Sequence, residues 1–278
     1  MIFDTHLHLV DRDRLSYPWL AEAPALDRDW TYAEYEATAR RIGITDVLHM
    51  EVDVAQTDID AETAFIAELM ARPGSLLRGA ISAARPENAD FAAWLERIDP
   101  AVVKGVRRVL HVVPDDVSQT SVFRENIRRL GQAGLPFDMC LLARQLPLGA
   151  ALADTAPDTE LVLDHCGVPD IAGGAFTEWA AAISDLARRP NVSLKLSGIT
   201  AYTGGNWTLK TLRPWVDHVL DSFGPDRMVW GSDSPVCTLQ SNLAEWVCAS
   251  HDLLSGCTPD ERAAIFHKNA RRIWKIAG

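Results

Sequence analysis

Cysteine is sparse and unpatterned in this 278-residue chain. The five cysteines (Cys140, Cys166, Cys237, Cys248, Cys257) are odd in number and form no C-x-x-C pair. That fits reduced thiols in a cytoplasm better than a disulfide frame. No apolar run is long enough to span a bilayer, and the start lacks a basic segment followed by an apolar one, so neither a membrane span nor a secretory leader is expected. Positive charge is also short: 27 Lys and Arg against 38 Asp and Glu give a net charge of −11. A surface for nucleic acid or anionic membrane is therefore not expected. A local pair such as Arg107-Arg108 can still overrule the global sign for a small anionic substrate. There is no Ser/Gly/Pro linker tract and no low-complexity segment, and the expectation is one domain over residues 1–278.

What is present begins at once. Residues 2–9, Ile-Phe-Asp-Thr-His-Leu-His-Leu, read as a β-strand with alternation of period two. Asp4, His6 and His8 are expected on one face, and Phe3, Thr5, Leu7 and Leu9 on the other. Two imidazoles so spaced aim the same way at adjacent levels, which suits a metal ion or a carbonyl oxygen held between two donors.

Seven further short apolar runs follow: 46–52, 76–84, 102–110, 137–142, 161–165, 192–197 and 228–232. Helical patterns separate them, at 31–43, 58–72, 91–98, 122–132, 146–153, 177–189, 209–223 and 243–254, with a last helix from Thr258. Thr31 with Glu34, and Thr258 with Glu261, have the spacing of capping boxes. Continuous apolar strands alternating with helices imply a parallel sheet covered on both faces. Eight such units predict an α/β fold of the (β/α)8 TIM-barrel type. The alternative, a doubly wound open sheet, lacks a Gly-rich phosphate loop after its first strand.

In a barrel the chemistry sits at the C-terminal strand ends. Those ends carry His6 and His8; His49 and Glu51; Arg107, Arg108 and His111; Asp164-His165-Cys166-Gly167; Lys195 and Ser197; and Gly231-Ser232-Asp233-Ser234-Pro235. The ordered set, with Tyr17-Pro18-Trp19, Lys104-Gly105-Val106-Arg107, Arg144-Gln145-Leu146-Pro147 and Lys195-Leu196-Ser197-Gly198, resembles the amidohydrolase superfamily. Within it, the set resembles the sugar-lactonase branch, which includes fuconolactonase-like and pyrone-dicarboxylate lactonases. The likeness runs nearly the whole length.

The resemblance implies a hydrolase that opens the lactone of a sugar acid or a related polar carboxylated ring. Asp233 would be general base to a water, His6 and His8 would polarise the ester carbonyl, and His165 would orient water or carbonyl. Glu51, Arg107, Arg108, His111, Tyr17 and Trp19 are the expected substrate contacts, with an Arg holding a carboxylate bidentately. One divalent metal, Zn²⁺ by preference, is expected on His6, His8 and Asp233, joined by His165 or Glu51. Family members that work without a metal leave that alternative open. A binuclear centre is not expected, because strand five (Phe137–Leu142) has no His and Lys104 lies early in strand four. Lactone isomerisation on the same site, a metal-dependent decarboxylase and a barrel that only binds a metabolite are the rivals. The partner is a small-molecule lactone, with homo-oligomerisation left open.

Overall fold

The computed structural model describes residues 1–277. Eight strands form one parallel sheet in sequence order: β1 (Ile2–Leu7), β2 (Ile44–Met50), β3 (Leu77–Ala83), β4 (Val103–Val109), β5 (Phe137–Cys140), β6 (Leu161–Leu163), β7 (Val192–Leu196) and β8 (Met228–Trp230). The helices between them are α1 (Tyr32–Arg41), α2 (Ile59–Met70), α3 (Phe91–Arg97), α4 (Ser121–Gln132), α5 (Leu146–Thr155), α6 (Phe176–Leu186), α7 (Leu209–Phe223) and α8 (Leu243–Leu253), followed by α9 (Pro259–Ala263) and α10 (Asn269–Ile273). This is the (β/α)8 barrel. Both capping boxes form: Thr31 Oγ1 accepts from Glu34 N while the Glu34 carboxylate accepts from Thr31 N, and Thr258 with Glu261 repeats the pattern. The last helix widens into a π-turn at Ala264–Lys268, between α9 and α10. Among the described residues no helix is long and apolar enough to cross a membrane.

The outer core lies between strands and helices. A second cluster fills the barrel itself: Phe3, Leu48, Met50, Ile81, Val162 and Val229, capped by Ile273 and Trp274 at the end of the chain. Gly105 makes room for this plug, since a Cβ there would lie 2.9 Å from Trp274 Nε1. An apolar floor below leaves the upper interior for polar groups.

One strand expectation is corrected. Phe3 belongs to the barrel interior, whereas Asp4 accepts a 2.6 Å hydrogen bond from the Tyr35 hydroxyl of α1 and so turns to the helix layer. The β1–β2 register shifts between Asp4 and Leu7. That irregularity reverses the alternation, so His6 enters the barrel although Asp4 does not. The same region closes the barrel. β8 meets β1 through Asp233 N to His6 O at 2.9 Å and His8 N to Ser234 O at 2.8 Å, and the Asp4 carboxylate accepts from Ser232 N at 2.7 Å.

Candidate active site

The seam between β8 and β1 holds the centre of the site. His6 Nε2 lies 3.1 Å from His8 Nε2. Asp233 Oδ1 is 3.6 Å from the first and 3.4 Å from the second. His165 stands beside them, its ring centroid 4.5 Å from that of His6 and its Nδ1 2.9 Å from Ser197 Oγ. Two of these four side chains are presented from left-handed backbone, His165 at φ 53° and Asp233 at φ 56°. Such conformations cost roughly 1–3 kcal/mol for a non-glycine residue and persist where surrounding structure enforces them. Gly198, itself at φ 62°, is part of that enforcement. A Cβ there would sit 2.6 Å from His165 Nδ1 and 2.7 Å from Asp233 Oδ2.

The tautomers follow from the partners. His8 Nδ1 faces the Met50 carbonyl at 3.0 Å; a carbonyl only accepts, so Nδ1 donates and the Nε2 lone pair faces the cavity. His6 Nδ1 has two neighbours, Lys195 Nζ at 3.3 Å and Asp164 Oδ1 at 3.4 Å. Accepting from Lys195 leaves a proton on Nε2 for His8. Donating to Asp164 frees the Nε2 lone pair instead. Burial is the main cause that lowers all three imidazoles, His8 to about 4. They are neutral at pH 7, as a ligand or a neutral donor must be. Burial also raises Asp233, to about 6.

Below lies a wholly buried ionic network. Lys195 Nζ donates to Asp138 Oδ1 at 2.6 Å and lies 3.1 Å from Asp164 Oδ1. Burial alone would discharge Lys195, but Asp138 and Asp164 outweigh it and raise its pKa. Burial would raise Asp164 too; Lys195 and His6 hold it well below the usual carboxylate range. Arg107 donates from Nε to Glu51 Oε1 at 2.5 Å and from Nη2 to the Glu51 carbonyl at 2.7 Å. Its Nη1 is left 3.4 Å from His6 Nε2.

A cavity of about 260 Å³ opens above this floor. Of the expected site residues, His8, His165, Asp233, Arg107, His111 and Trp19 line it, while His6 lies fully buried beneath. Three expected substrate contacts are placed elsewhere. Glu51 is spent on Arg107 and on Asp53 N. Arg108 turns the opposite way from Arg107, as neighbours in a strand do, and donates to Glu87 at 2.9 Å. Tyr17 is buried, and its hydroxyl accepts from Asp11 N. The cavity's lining also includes ionisable residues that sequence reasoning missed, Asp53, Cys140 and Tyr202. Cys140 ends β5, whereas Asp53 stands on an irregular segment after β2 and Tyr202 in a short 3₁₀ helix after β7, where strand periodicity carries no signal. Lys195, at a strand end in the sequence, takes the place of a structural ion-pair partner.

The family model described as amidohydrolase matches residues 3–276. This chain belongs to the amidohydrolase family. Among relatives, an L-fucono-1,5-lactonase of Burkholderia ambifaria is 29% identical over 285 residues, covering 98% of this chain and 95% of that protein. A 4-sulfomuconolactone hydrolase of Rhizobium radiobacter is 25% identical over 236 residues, covering 84% and 75%. Among solved structures, an amidohydrolase from Burkholderia multivorans with bound Zn superposes with TM-score 0.91 at 25% identity, over 100% of both chains.

The residues present fit one such ion. A tetrahedral site with bonds of about 2.0–2.1 Å needs donors roughly 3.3–3.4 Å apart, and the His6–His8–Asp233 separations are 3.1, 3.4 and 3.6 Å. Asp233 Oδ2 and both Asp164 oxygens are buried without a hydrogen-bond partner among the described residues. A proton moved to His6 Nδ1 would satisfy Asp164 and release Nε2. His165 also groups with His6 and Asp233 as possible donors, and a further group, Cys140, Asp164 and His165, is present, but burial raises the Cys140 thiol and a protonated thiol is a poor ligand. Lys104 donates to Pro100 O and takes no part.

Removing the cation under the site should be costly. Lys195→Met strands Asp138 and Asp164 without it, and loss of one partner from a buried ion pair costs about 3–5 kcal/mol. Urea unfolding measures this. A loss below about 1 kcal/mol would mean the carboxylates are neutral in the native state.

Proposed function

We propose that this protein hydrolyses the ester bond of a lactone, with Asp233 as general base. The observation that carries the reading is the convergence of Asp233 on two neutral histidine Nε2 atoms at the floor of a cavity, in a chain similar to proteins named as lactone hydrolases. Asp233 Oδ2 has no partner and can take the proton of a water. The water oxygen bonds to the lactone carbonyl carbon, the carbonyl pair becomes an oxyanion, and the ring C–O bond then breaks. The proton on Asp233 passes to the departing ring oxygen, giving a hydroxy acid. His165, fixed through Nδ1 by Ser197, presents its remaining nitrogen to water or carbonyl, whereas His6 and His8, the latter with its Nε2 lone pair turned to the cavity, would act on the oxyanion through a bound ion. A divalent ion on His6, His8 and Asp233 would supply Lewis-acid polarisation of the carbonyl. Isomerisation to another lactone would need a second internal hydroxyl as nucleophile; product analysis separates a ring-opened acid from a shifted ring.

Asp233→Asn should lower kcat by roughly 10²–10⁴, the contribution of a positioned base, with the circular dichroism spectrum unchanged; a variant keeping more than about half its turnover would exclude Asp233 as the base. The raised pKa of Asp233 sets a pH limb. A protonated carboxyl cannot accept the proton, so kcat/KM of the metal-free protein should fall about tenfold per unit below pH of about 6. A bound cation favours the carboxylate and should move the limb to lower pH.

Dialysis against a strong chelator should remove one ion per chain and at least about tenfold of the turnover, both restored by Zn²⁺. Undiminished turnover in protein assayed as metal-free would mean that hydrogen-bond donors such as His165 polarise the carbonyl without an ion. Metal content and rate are to be read on the same sample.

A further inference from the structure

The cavity walls differ in character from its floor. Trp19, Leu20, Leu26, Val52, Val112 and Val236 all contribute to the walls. Val112 is 57% exposed, so an apolar side chain stands in the water at a cavity residue. The polar atoms that could read a substrate's substituents are few. The Trp19 indole N–H is already given to the Val52 carbonyl at 2.7 Å. Arg107 is the only guanidinium lining the cavity among the described residues, and Glu51 occupies two of its nitrogens. Arg108 is bound to Glu87, and Arg85 is 3.8 Å from Asp53. Asp53, His111, Cys140 and Tyr202 are what remains on the walls.

A carboxylated ring would therefore meet Asp53 and Asp233 with no more than Arg107 Nη1 left to hold it, and a buried, poorly paired charge is heavily disfavoured. A polyhydroxylated ring would leave most hydroxyls desolvated against valine and leucine, again without compensation. An alkyl substituent has neither problem. A volume of about 260 Å³, small among ligand pockets, suits one ring with a short chain. Resting on the lactone-hydrolase reading, we propose that the substrate is an uncharged lactone whose ring carries an alkyl substituent, packed against the Trp19–Leu26–Val236 walls, in place of a carboxylate or a run of hydroxyls.

The test is kcat/KM, followed by proton release, for three groups: δ-lactones with unbranched side chains from methyl to pentyl, aldono-1,5-lactones, and a carboxylated pyrone. The expected result is a rise of roughly fourfold per added methylene until the cavity is full, with the other two groups at least tenfold below the best alkyl lactone. An aldonolactone or the carboxylated ring as the best substrate would overturn the inference and leave the hydrolase reading standing. Turnover of no lactone in any group would remove that reading and the inference with it. Val112→Arg provides a second reading, since so exposed a position tolerates the change. It should lower kcat/KM for the pentyl lactone at least threefold and raise that for the carboxylated ring; no change in the ratio of the two would count against an apolar wall at this edge.

Discussion

Inside the top of the barrel, four carboxylates and two permanent cations share one buried space, and this imbalance governs what the site can be. Glu51, Asp138, Asp164 and Asp233 face Lys195 and Arg107. If all six ionise, the count is two positive charges short. Part of the shortage is visible in the acids: burial pushes Asp138 up even with Lys195 beside it, and raises Asp233 to about 6. A divalent cation between His6, His8 and Asp233 restores neutrality; without one, the same end needs a proton on each of two carboxyls, and Asp138 and Asp233 are the two that burial raises. The cations are placed to leave that choice open. Lys195 is committed to Asp138 and Asp164 from below, and Arg107 to Glu51 from the side. Neither reaches Asp233 closely enough to pair with it, so the base keeps a free oxygen.

The same constraint explains why the site lies at the seam. β1 and β8 are joined by few direct backbone hydrogen bonds, and those belong to His6, His8, Asp233 and Ser234. A ladder this short would be a weak closure by itself. It is reinforced by the Asp4 carboxylate, which holds His6 N and Ser232 N while accepting from Tyr35. Asp4 thereby ties β1, β8 and α1 together directly behind the reacting side chains. Closing the barrel and aiming the histidines are one structural event, which is how left-handed backbone at Asp233 can be sustained.

Much of this was legible because barrels put polar residues where apolar strands stop. His6, His8, His165 and Asp233 each interrupt or follow an apolar run, and they converge. What was not legible depends on strand parity and on irregular backbone. Arg107 and Arg108 are adjacent in sequence, and nothing in the residue types says which enters the barrel; pairing with β5, where Arg107 stands opposite Asp138, decides it. The register shift in β1 is equally silent, since Phe3, Asp4 and His6 fit simple alternation on paper. Glu51 has the sequence position of a rim residue, yet it is drawn into a buried pair by a guanidinium that no local rule connects to it. Asp53 follows β2 on irregular backbone and Tyr202 follows β7 in a short 3₁₀ helix, both beyond the reach of strand alternation.

The division between floor and walls is a consequence of where each kind of residue can be tolerated. The floor's charges, Asp233 apart, are held by partners within a few ångströms, so they can hardly vary without disrupting the network. The walls come from loops between strands and helices, which bear little of the barrel's stability and are free to change. A likeness that spans almost the whole chain therefore speaks most strongly for the floor, and with it for the bond being broken. It says least about the substituents around that bond. Those are set by side chains such as Trp19, Leu26, Val112 and Val236, whose apolar character departs from the carboxylated, polar ring that the motif set alone suggests. Where motif and wall disagree about the substrate, the wall is the part that touches it.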